Sequence, residues 1–346
     1  MKRDVRLSAS RISTLKKCSW TYWVKYVLKL PDTTNAGASR GWICHLIFEI
    51  LGNPRHKKVY DRLLVSKDIF SVEPIKRLVM HHAKKMNVDD DENLQLISDM
   101  TMAGLNFDFF GDTFNKPDLS ISEKEFLLDV NEEGKRYKVL GFIDKLFLYK
   151  SASKALIRDF KSSKSVFKGK DLEDNLQDLI YCLAIKRTFP EYKNRVMEFL
   201  FLKFNLESKG KVLMPTITDD ELDGFEYELT QIQSYLESFS EQDAMSNFAA
   251  DQGFPKDGSF GGLLACGKDG FKMSRGSPVL DENGNPIKAY ICPFRKGFNY
   301  YVLINSENKI LKSAFEDDKN NLIAGEGETI ELREYAGCPK WSNSIL

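Results

Sequence analysis

No apolar run of about 18 residues occurs anywhere in the 346-residue chain, which excludes a hydrophobic transmembrane helix. The opening Met1-Lys2-Arg3-Asp4 lacks the apolar core of a signal peptide, so a cytoplasmic protein is expected. Cysteine is scarce: six residues are too few for a disulfide scaffold in a chain this long. Net charge is absent, because 50 Lys+Arg balance 50 Asp+Glu. The chain is therefore no overall polycation, and any polyanion must be held by a local cluster. Internal repeats and low-complexity tracts are also missing. What is present is globular in kind. Apolar residues make up 42% and aromatics 12%, enough to bury a core and to exclude a disordered chain.

The pattern predicts helices over residues 8–28 and 39–51, then mostly helix over 55–118. The acidic run Asp89-Asp90-Asp91-Glu92 reads as a solvated face or loop. At about residue 120 the character changes. Glu125 to Val130 reads as a strand, Glu132-Glu133-Gly134 as a hairpin turn, and Arg136 to Tyr149 as a second strand. Ala155 to Lys161 is a third strand, Asp171 to Thr188 a helix, and Val196 to Phe204 a fourth strand. Residues 216–248 read as helix, and 298–313 as one hairpin. The order β-β-β-α-β implies an α/β fold: a central mixed sheet flanked by helices, with an N-terminal helical portion. The expected divisions are 1–120, 121–215 and 216–346.

Chemistry gathers on two strands. Gly141-Phe142-Ile143-Asp144 lies on one and Asp159-Phe160-Lys161 on the next. Adjacent strands would set Asp144 and Asp159 across from one another, and two carboxylates about 5 Å apart repel unless a divalent cation joins them. Lys161 projects from the same face as Asp159, where it could stabilise charge developing on a phosphate. The Phe160 carbonyl would offer a further oxygen ligand. The ordinary alternative is an exposed cross-strand ion pair. Gln177 and Tyr181, spaced i, i+4 on the following helix, could hold a phosphate or a base edge. From Lys135 to Lys170 there are eleven Lys/Arg, and the acids are Asp144 and Asp159 alone. A phosphate-binding face has this sign bias, so Lys164, Lys168 and Lys170 are expected to meet DNA phosphates. His45, one of four histidines, sits in an apolar helix with Glu49 one turn later. By itself it reads as a core residue. Trp20, Tyr22 and Trp23 are candidates for base stacking, against the ordinary reading as core aromatics.

The motifs occur in a definite order: Ser8-Ala9-Ser10-Arg11-Ile12 with Cys18, Gly41-x3-His45, Gly141-x2-Asp144, Asp159-x-Lys161 and Gln177-x3-Tyr181. Over about residues 7–205 this series resembles the PD-(D/E)XK nuclease superfamily, in its RecB-like or Cas4-like branch that includes phage exonucleases. The resemblance implies a restriction-endonuclease-like core. It implies His45, Asp144 and Asp159 as ligands of Mg²⁺ or Mn²⁺, with His45 supplied by the N-terminal portion. Lys161 becomes the catalytic lysine, beside the catalytic Asp144 and Asp159, and Gln177 and Tyr181 help place DNA. The activity implied is a metal-dependent deoxyribonuclease, an exonuclease whose substrates are single-stranded DNA or DNA ends. The acid of the third motif is often Glu in the family and is Asp here.

Many relatives carry an iron–sulfur cluster on one N-terminal and three C-terminal cysteines. Cys18, Cys266, Cys292 and Cys338 are the corresponding residues, and Cys292 and Cys338 each precede proline. Their wide spacing departs from the compact family pattern, which leaves free thiols, zinc and a cluster all open. Cys44 and Cys182 read as small core side chains. Two rival functions remain: a non-catalytic DNA-binding module on a nuclease-like fold, and an interaction protein using its basic segment.

Overall fold

The structure, a computed structural model, describes residues 4–33, 35–113, 115–246, 266, 270–280 and 284–342. Residues 3–9 with 34–235 form one compact unit, and residues 10–33 with 236–346 another. Among the described residues no helix is long and apolar enough to cross a membrane.

The larger unit is an α/β fold with a five-stranded mixed sheet in the order β1-β2-β3-β4-β5. The strands are β1 (Leu119–Glu132), β2 (Lys135–Tyr149), β3 (Lys154–Lys161), β4 (Asn194–Phe201) and β5 (Lys211–Leu213). The β1–β2 hairpin closes at Glu133-Gly134, where Gly134 takes a φ of +74°, open to glycine at no steric cost. Towards this turn, Phe126, Leu128 and Val130 of β1 face inward while Glu125, Leu127 and Asp129 face out, the period-2 alternation of a half-covered strand. β1 begins six residues earlier than its apolar alternation suggests. Pairing with the apolar β2 extends it through Leu119–Lys124, which has little strand pattern of its own. β3 and β4 are parallel and buried along most of their length, as central strands covered on both faces are.

The crossover between β3 and β4 is α8. The helices, in chain order, are α1 (Ala9–Lys17), α2 (Ser19–Tyr22), α3 (Ala36–Gly52), α4 (Lys57–Ser66), α5 (Glu73–Lys85), α6 (Asp91–Asn106), α7 (Lys170–Glu173), α8 (Leu176–Thr188), α9 (Asp219–Ser238) and α10 (Glu241–Ser246). The helix expected from Asp171 starts in earnest at Leu176, because Asn175 Oδ1 accepts the N–H groups of Gln177 and Asp178 and caps it there. The acidic run serves as a cap too: Asp90 accepts from Asn93 N–H at 3.0 Å, and Asp91 and Glu92 occupy the favourable first turn of α6.

One core cluster lies between the sheet and α3 to α6. Ile43, Cys44, Ile47, Phe48 and Leu51 of α3 pack with Ile97, Met100 and Leu105 of α6 and with Phe160 and Leu200 of the sheet. Phe48 and Phe160 rings are 4.3 Å apart. This packing lays α3 over β3. The approach is close at Gly41, where a Cβ would stand 2.5 Å from Ser162 Oγ. Glycine is required there by contact, not by backbone angle.

In the smaller unit the helix expected over 8–28 is broken. Cys18 leaves the helical region and its sulfur accepts Thr21 N–H at 3.5 Å, starting α2; a π-helical turn, Trp23–Val27, follows. Beyond a two-residue ribbon of β6 (Met273–Ser274) and β7 (Ser277–Pro278), β8 (Lys296–Ile304) and β9 (Ile310–Phe315) form the expected hairpin. A third strand, β10 (Thr329–Gly337), pairs on the other side of β8. Its charged sequence shows little of the apolar alternation that marks β8.

Candidate metal centre

The register explains why two carboxylates meet. Lys145 pairs with Arg158 on β2–β3, so the next position along the antiparallel ladder brings Asp144 beside Asp159. On the other side of β2, Ser122 pairs with Lys145 and Lys124 with Ile143. Glu123 stands between them, opposite Asp144, with a φ of +48°. A left-handed glutamate inside a strand is strained, and such strain persists where surrounding structure holds it. Ligand atoms of His45, Glu123 and Asp144 all lie within 4.8 Å of one another.

His45 descends from α3 onto this spot. Its Nδ1 is 3.2 Å from Asp144 Oδ1 and 4.0 Å from Glu123 Oε1, and its Nε2 is 3.1 Å from the Phe160 carbonyl oxygen. Asp144 Oδ2 also accepts the Phe160 N–H at 2.7 Å. The Phe160 peptide, placed between the Asp159 and Lys161 side chains, is thus tied at both ends to the ligand cluster. Asp159 is buried, with one oxygen accepting from the Gln177 amide and the other 2.6 Å from Lys161 Nζ. That second oxygen has this ion pair but no directed hydrogen bond.

The electrostatics follow from crowding anions in a water-poor place. Burial, then the charge of Asp144, raises the Glu123 pKa to about 7 against the opposing pull of His45. Burial and Asp144 likewise raise Asp159 to about 6, against Lys161. Burial disfavours a charged His45, but the Asp144 hydrogen bond and the charges of Asp144, Asp159 and Glu123 outweigh it and lift the imidazole to about 9. The residues fit a hard divalent cation. The Glu123 and Asp144 carboxylates converge with the His45 imidazole, and the adjacent Asp159 keeps a buried oxygen without a hydrogen bond.

Lys161, Gln177 and Tyr181 complete the cluster. Lys161 Nζ donates to Gln177 Oε1 at 2.6 Å, and Gln177 Nε2 donates to Asp159 and, at 2.8 Å, to the Tyr181 hydroxyl. Tyr181 is buried and donates to the Phe142 carbonyl on β2. Gln177 and Tyr181 therefore span from the Asp-x-Lys strand to the Asp144 strand, with their polar atoms engaged inside the protein.

The basic stretch does not form one face, because successive residues of a strand point to opposite sides. Lys135 is held by Asp223 and Glu226, and Lys138 by Asp4 and Asp129. Lys145 and Arg158 are buried on the sheet face opposite Asp159, with Arg158 paired to Glu198. Lys164 and Lys168 are exposed in the loop after β3, while the Lys170 side chain lies outside the described residues. Lys164 shares its neighbourhood with Arg40 and Lys203: burial lowers the Lys203 pKa, and those two cations lower it further. Trp20, Tyr22 and Trp23 are buried core aromatics.

Glu123 was not evident from the sequence, though a signal existed. In an antiparallel hairpin, counting back equally from the Glu133-Gly134 turn places Glu123 across from Asp144.

The four candidate cluster cysteines gather in the smaller unit. Cys292 N–H donates to the Cys266 carbonyl at 3.0 Å, Arg295 N–H to the Cys292 carbonyl at 3.1 Å, and Cys338 N–H to the Arg295 carbonyl at 3.4 Å. Burial raises the Cys292 thiol, and Cys18 and Cys266 raise it further. Burial raises the Tyr335 phenol, with Cys338, Cys292 and Cys18 adding to it. All six cysteines are unbridged thiols. Cys44 and Cys182 lie apart in the larger unit's interior, where Cys182 donates to Asp178 at 3.3 Å.

Comparison with known proteins gives a family match. The profile described as PD-(D/E)XK nuclease superfamily matches residues 6–260. No curated protein matches the chain. A solved structure titled "Crystal structure of SSO0001" is similar over 54% of this chain and 77% of its own, at 14% identity and a TM-score of 0.28, and carries no argument.

Proposed function

The chain belongs to the PD-(D/E)XK nuclease superfamily, and from that premise we propose that it is a divalent-metal-dependent deoxyribonuclease, an exonuclease of the RecB-like or Cas4-like branch acting on single-stranded DNA or DNA ends. The observation that carries this is the convergence of His45, Glu123 and Asp144, with Asp159 and Lys161 beside Asp144 on the next strand. His45, Asp144 and Asp159 are the proposed ligands of Mg²⁺ or Mn²⁺, and Glu123 joins them. The bound cation supplies Lewis-acid polarisation of the phosphate and makes a water more acidic.

The remaining work falls to the chain. Lys161, held between Asp159 and Gln177, presents its ammonium to the charge that grows on the phosphate oxygens. Gln177 fixes the relative position of Lys161 and Asp159, and Tyr181 ties that pair to β2. Exposed Lys164 and Lys168, with Lys170, contribute phosphate contacts.

We further propose that Cys18, Cys266, Cys292 and Cys338 hold an iron–sulfur cluster. Four buried or half-buried thiols without disulfides are a soft donor set suited to it. Held there, the cluster supplies a cross-link between distant parts of the smaller unit. Iron and acid-labile sulfide assays on anaerobically prepared protein, wild type against Cys292→Ser, test this.

The nuclease reading is tested with end-labelled single- and double-stranded DNA in Mg²⁺, Mn²⁺ or EDTA. Asp159→Ala and Lys161→Ala should each reduce cleavage by about 10²-fold or more with the circular dichroism spectrum retained. Cleavage near the wild-type rate in either variant, or cleavage in EDTA, refutes the assignment.

A further inference from the structure

Trp42 is a tryptophan that the core does not use. Trp20 and Trp23 are 4% and 8% exposed, whereas Trp42 is 46% exposed. It stands three residues before His45 on α3, so the two side chains lie about 60° apart around the helix and about 4.5 Å apart along it. Its neighbour Gly41 rests against Ser162, the residue that follows Lys161. The indole therefore belongs to the helix that carries His45, one turn before it.

It is also braced. The His82 ring of α5 lies 4.9 Å from the indole at 59°. Burial, His81 and Lys85 lower the His82 pKa, which disfavours the charged ring beside the indole. On β2, Phe142 is 48% exposed. It lies two residues before Asp144 on β2, about 7 Å away along the strand. Its backbone carbonyl is held by Tyr181. Cations stand close by: Lys161 within the centre, and Lys164 with Lys203 beside Arg40 at the start of α3.

Exposed rings are costly to leave in water, and a phosphodiester chain offers what such rings bind. We propose that Trp42, braced by His82, and Phe142 are base-stacking platforms that position single-stranded DNA on either side of the scissile phosphate. A base can lie on a ring when its face is free, and in a duplex both faces are already stacked. The two aromatics are thus positioning residues that favour single strands. This inference rests on the nuclease reading and deepens it by naming the substrate form and the groups that recognise it.

The test is binding and cleavage of an oligothymidylate and of a blunt duplex of equal length. Binding is measured in EDTA by anisotropy of labelled DNA and by quenching of intrinsic tryptophan fluorescence. Base–aromatic stacking is worth ~1–3 kcal/mol per base, so Trp42→Ala should weaken oligothymidylate binding by about 5- to 150-fold. Trp42→Phe should restore most of it, duplex affinity should change by less than about twofold, and the fluorescence quench should vanish with the indole. Phe142→Ala should repeat the single-strand selectivity at a second position. A wild type that binds and cleaves no DNA sinks both readings. A wild type that cleaves in Mn²⁺, with Trp42→Ala binding single strands undiminished or losing both substrates equally, sinks the stacking proposal alone.

Discussion

Replacing Glu123 by Gln should make the metal-free protein more stable and lower the stability that a bound metal adds. Both signs come from the crowding of Glu123, Asp144 and Asp159. Burial and Asp144 raise the Glu123 pKa from 4.5 to about 7. A carboxyl whose pKa is raised on folding binds more protons in the folded state, so folding stability falls as pH rises from about 4.5 to about 7. At pH 8 that loss is complete and amounts to about 3 kcal/mol. Two like charges about 4 Å apart at an effective dielectric of about 20 repel by about 4 kcal/mol, the same order. Gln fills the same space, tolerates the φ of +48° no better or worse, and carries no charge. In EDTA at pH 8 the variant should therefore melt several degrees higher, at about 2–4 °C per kcal/mol for a unit near this size.

Metal narrows the gap. With Mn²⁺ at about 100 times the wild-type dissociation constant, wild type gains about 2.7 kcal/mol. A variant binding ten- to a hundredfold more weakly gains about 1.4 to about 0.4 kcal/mol at the same concentration. Differential scanning fluorimetry in EDTA and across a Mn²⁺ titration reads both quantities. A variant that melts below wild type in EDTA, or rises with Mn²⁺ in parallel with it, would show that Glu123 is a strained strand residue with no part in cation binding.

Three further outcomes are expected. Gly41→Ala should cut activity sharply while sparing the melting temperature of the smaller unit, because its Cβ would press on Ser162 beside Lys161; steady-state cleavage rates with two-probe thermal melts check this. Reversing Lys164, Lys168 and Lys170 to Glu should lower DNA affinity and flatten the log–log salt slope by up to about one unit for each phosphate no longer neutralised, whereas reversing Lys84 and Lys85 should not; equal losses of affinity in the two proteins would remove the loop after β3 from the DNA path. Burial raises Asp178 from 3.8 to about 6, so it contributes a destabilisation that grows as pH rises from about 4 to about 6; Asp178→Asn should remove that slope from urea-melt stabilities measured across this range, by an amount on the order of 3 kcal/mol.

The strands that carry Asp144, Asp159 and Lys161 were legible because β2 and β3 have a turn before them, apolar residues along them and a short spacing that fixes which side chains share a face. The helix bearing His45 was legible for a similar reason, being apolar and closed by Gly52-Asn53-Pro54. Local signals stop there. Glu123 belongs to a polar stretch, Ile121-Ser122-Glu123-Lys124, that becomes strand through its partner, and the left-handed break that turns its carboxylate to Asp144 is set by pairing. Trp42 and the three N-terminal aromatics have the same chemistry in the sequence. Which is buried depends on what packs over each, and no periodicity records that. β5 and β10 escaped for want of pattern: three residues in one case, and alternating charges on an edge in the other.

The path of the chain between its two units has a consequence for cutting and splitting it. Residues 10–33 belong to one unit, residues 34–235 to the other, and the chain returns to the first at 236. A break in the exposed loop around Ser163-Lys164-Ser165 would leave two fragments, and neither would own a whole unit. One fragment would carry β1 to β3 together with residues 10–33; the other would carry β4, β5 and everything from 236 on. Each would hold half of two separate interiors, so the pieces would be clasped twice without a covalent link. His45, Glu123, Asp144, Asp159 and Lys161 would all ride on the first piece, and Gln177 and Tyr181 on the second. A nicked chain should accordingly stay one particle, and a gene divided at this loop would make the alignment of Lys161 with Asp159 conditional on the meeting of two polypeptides.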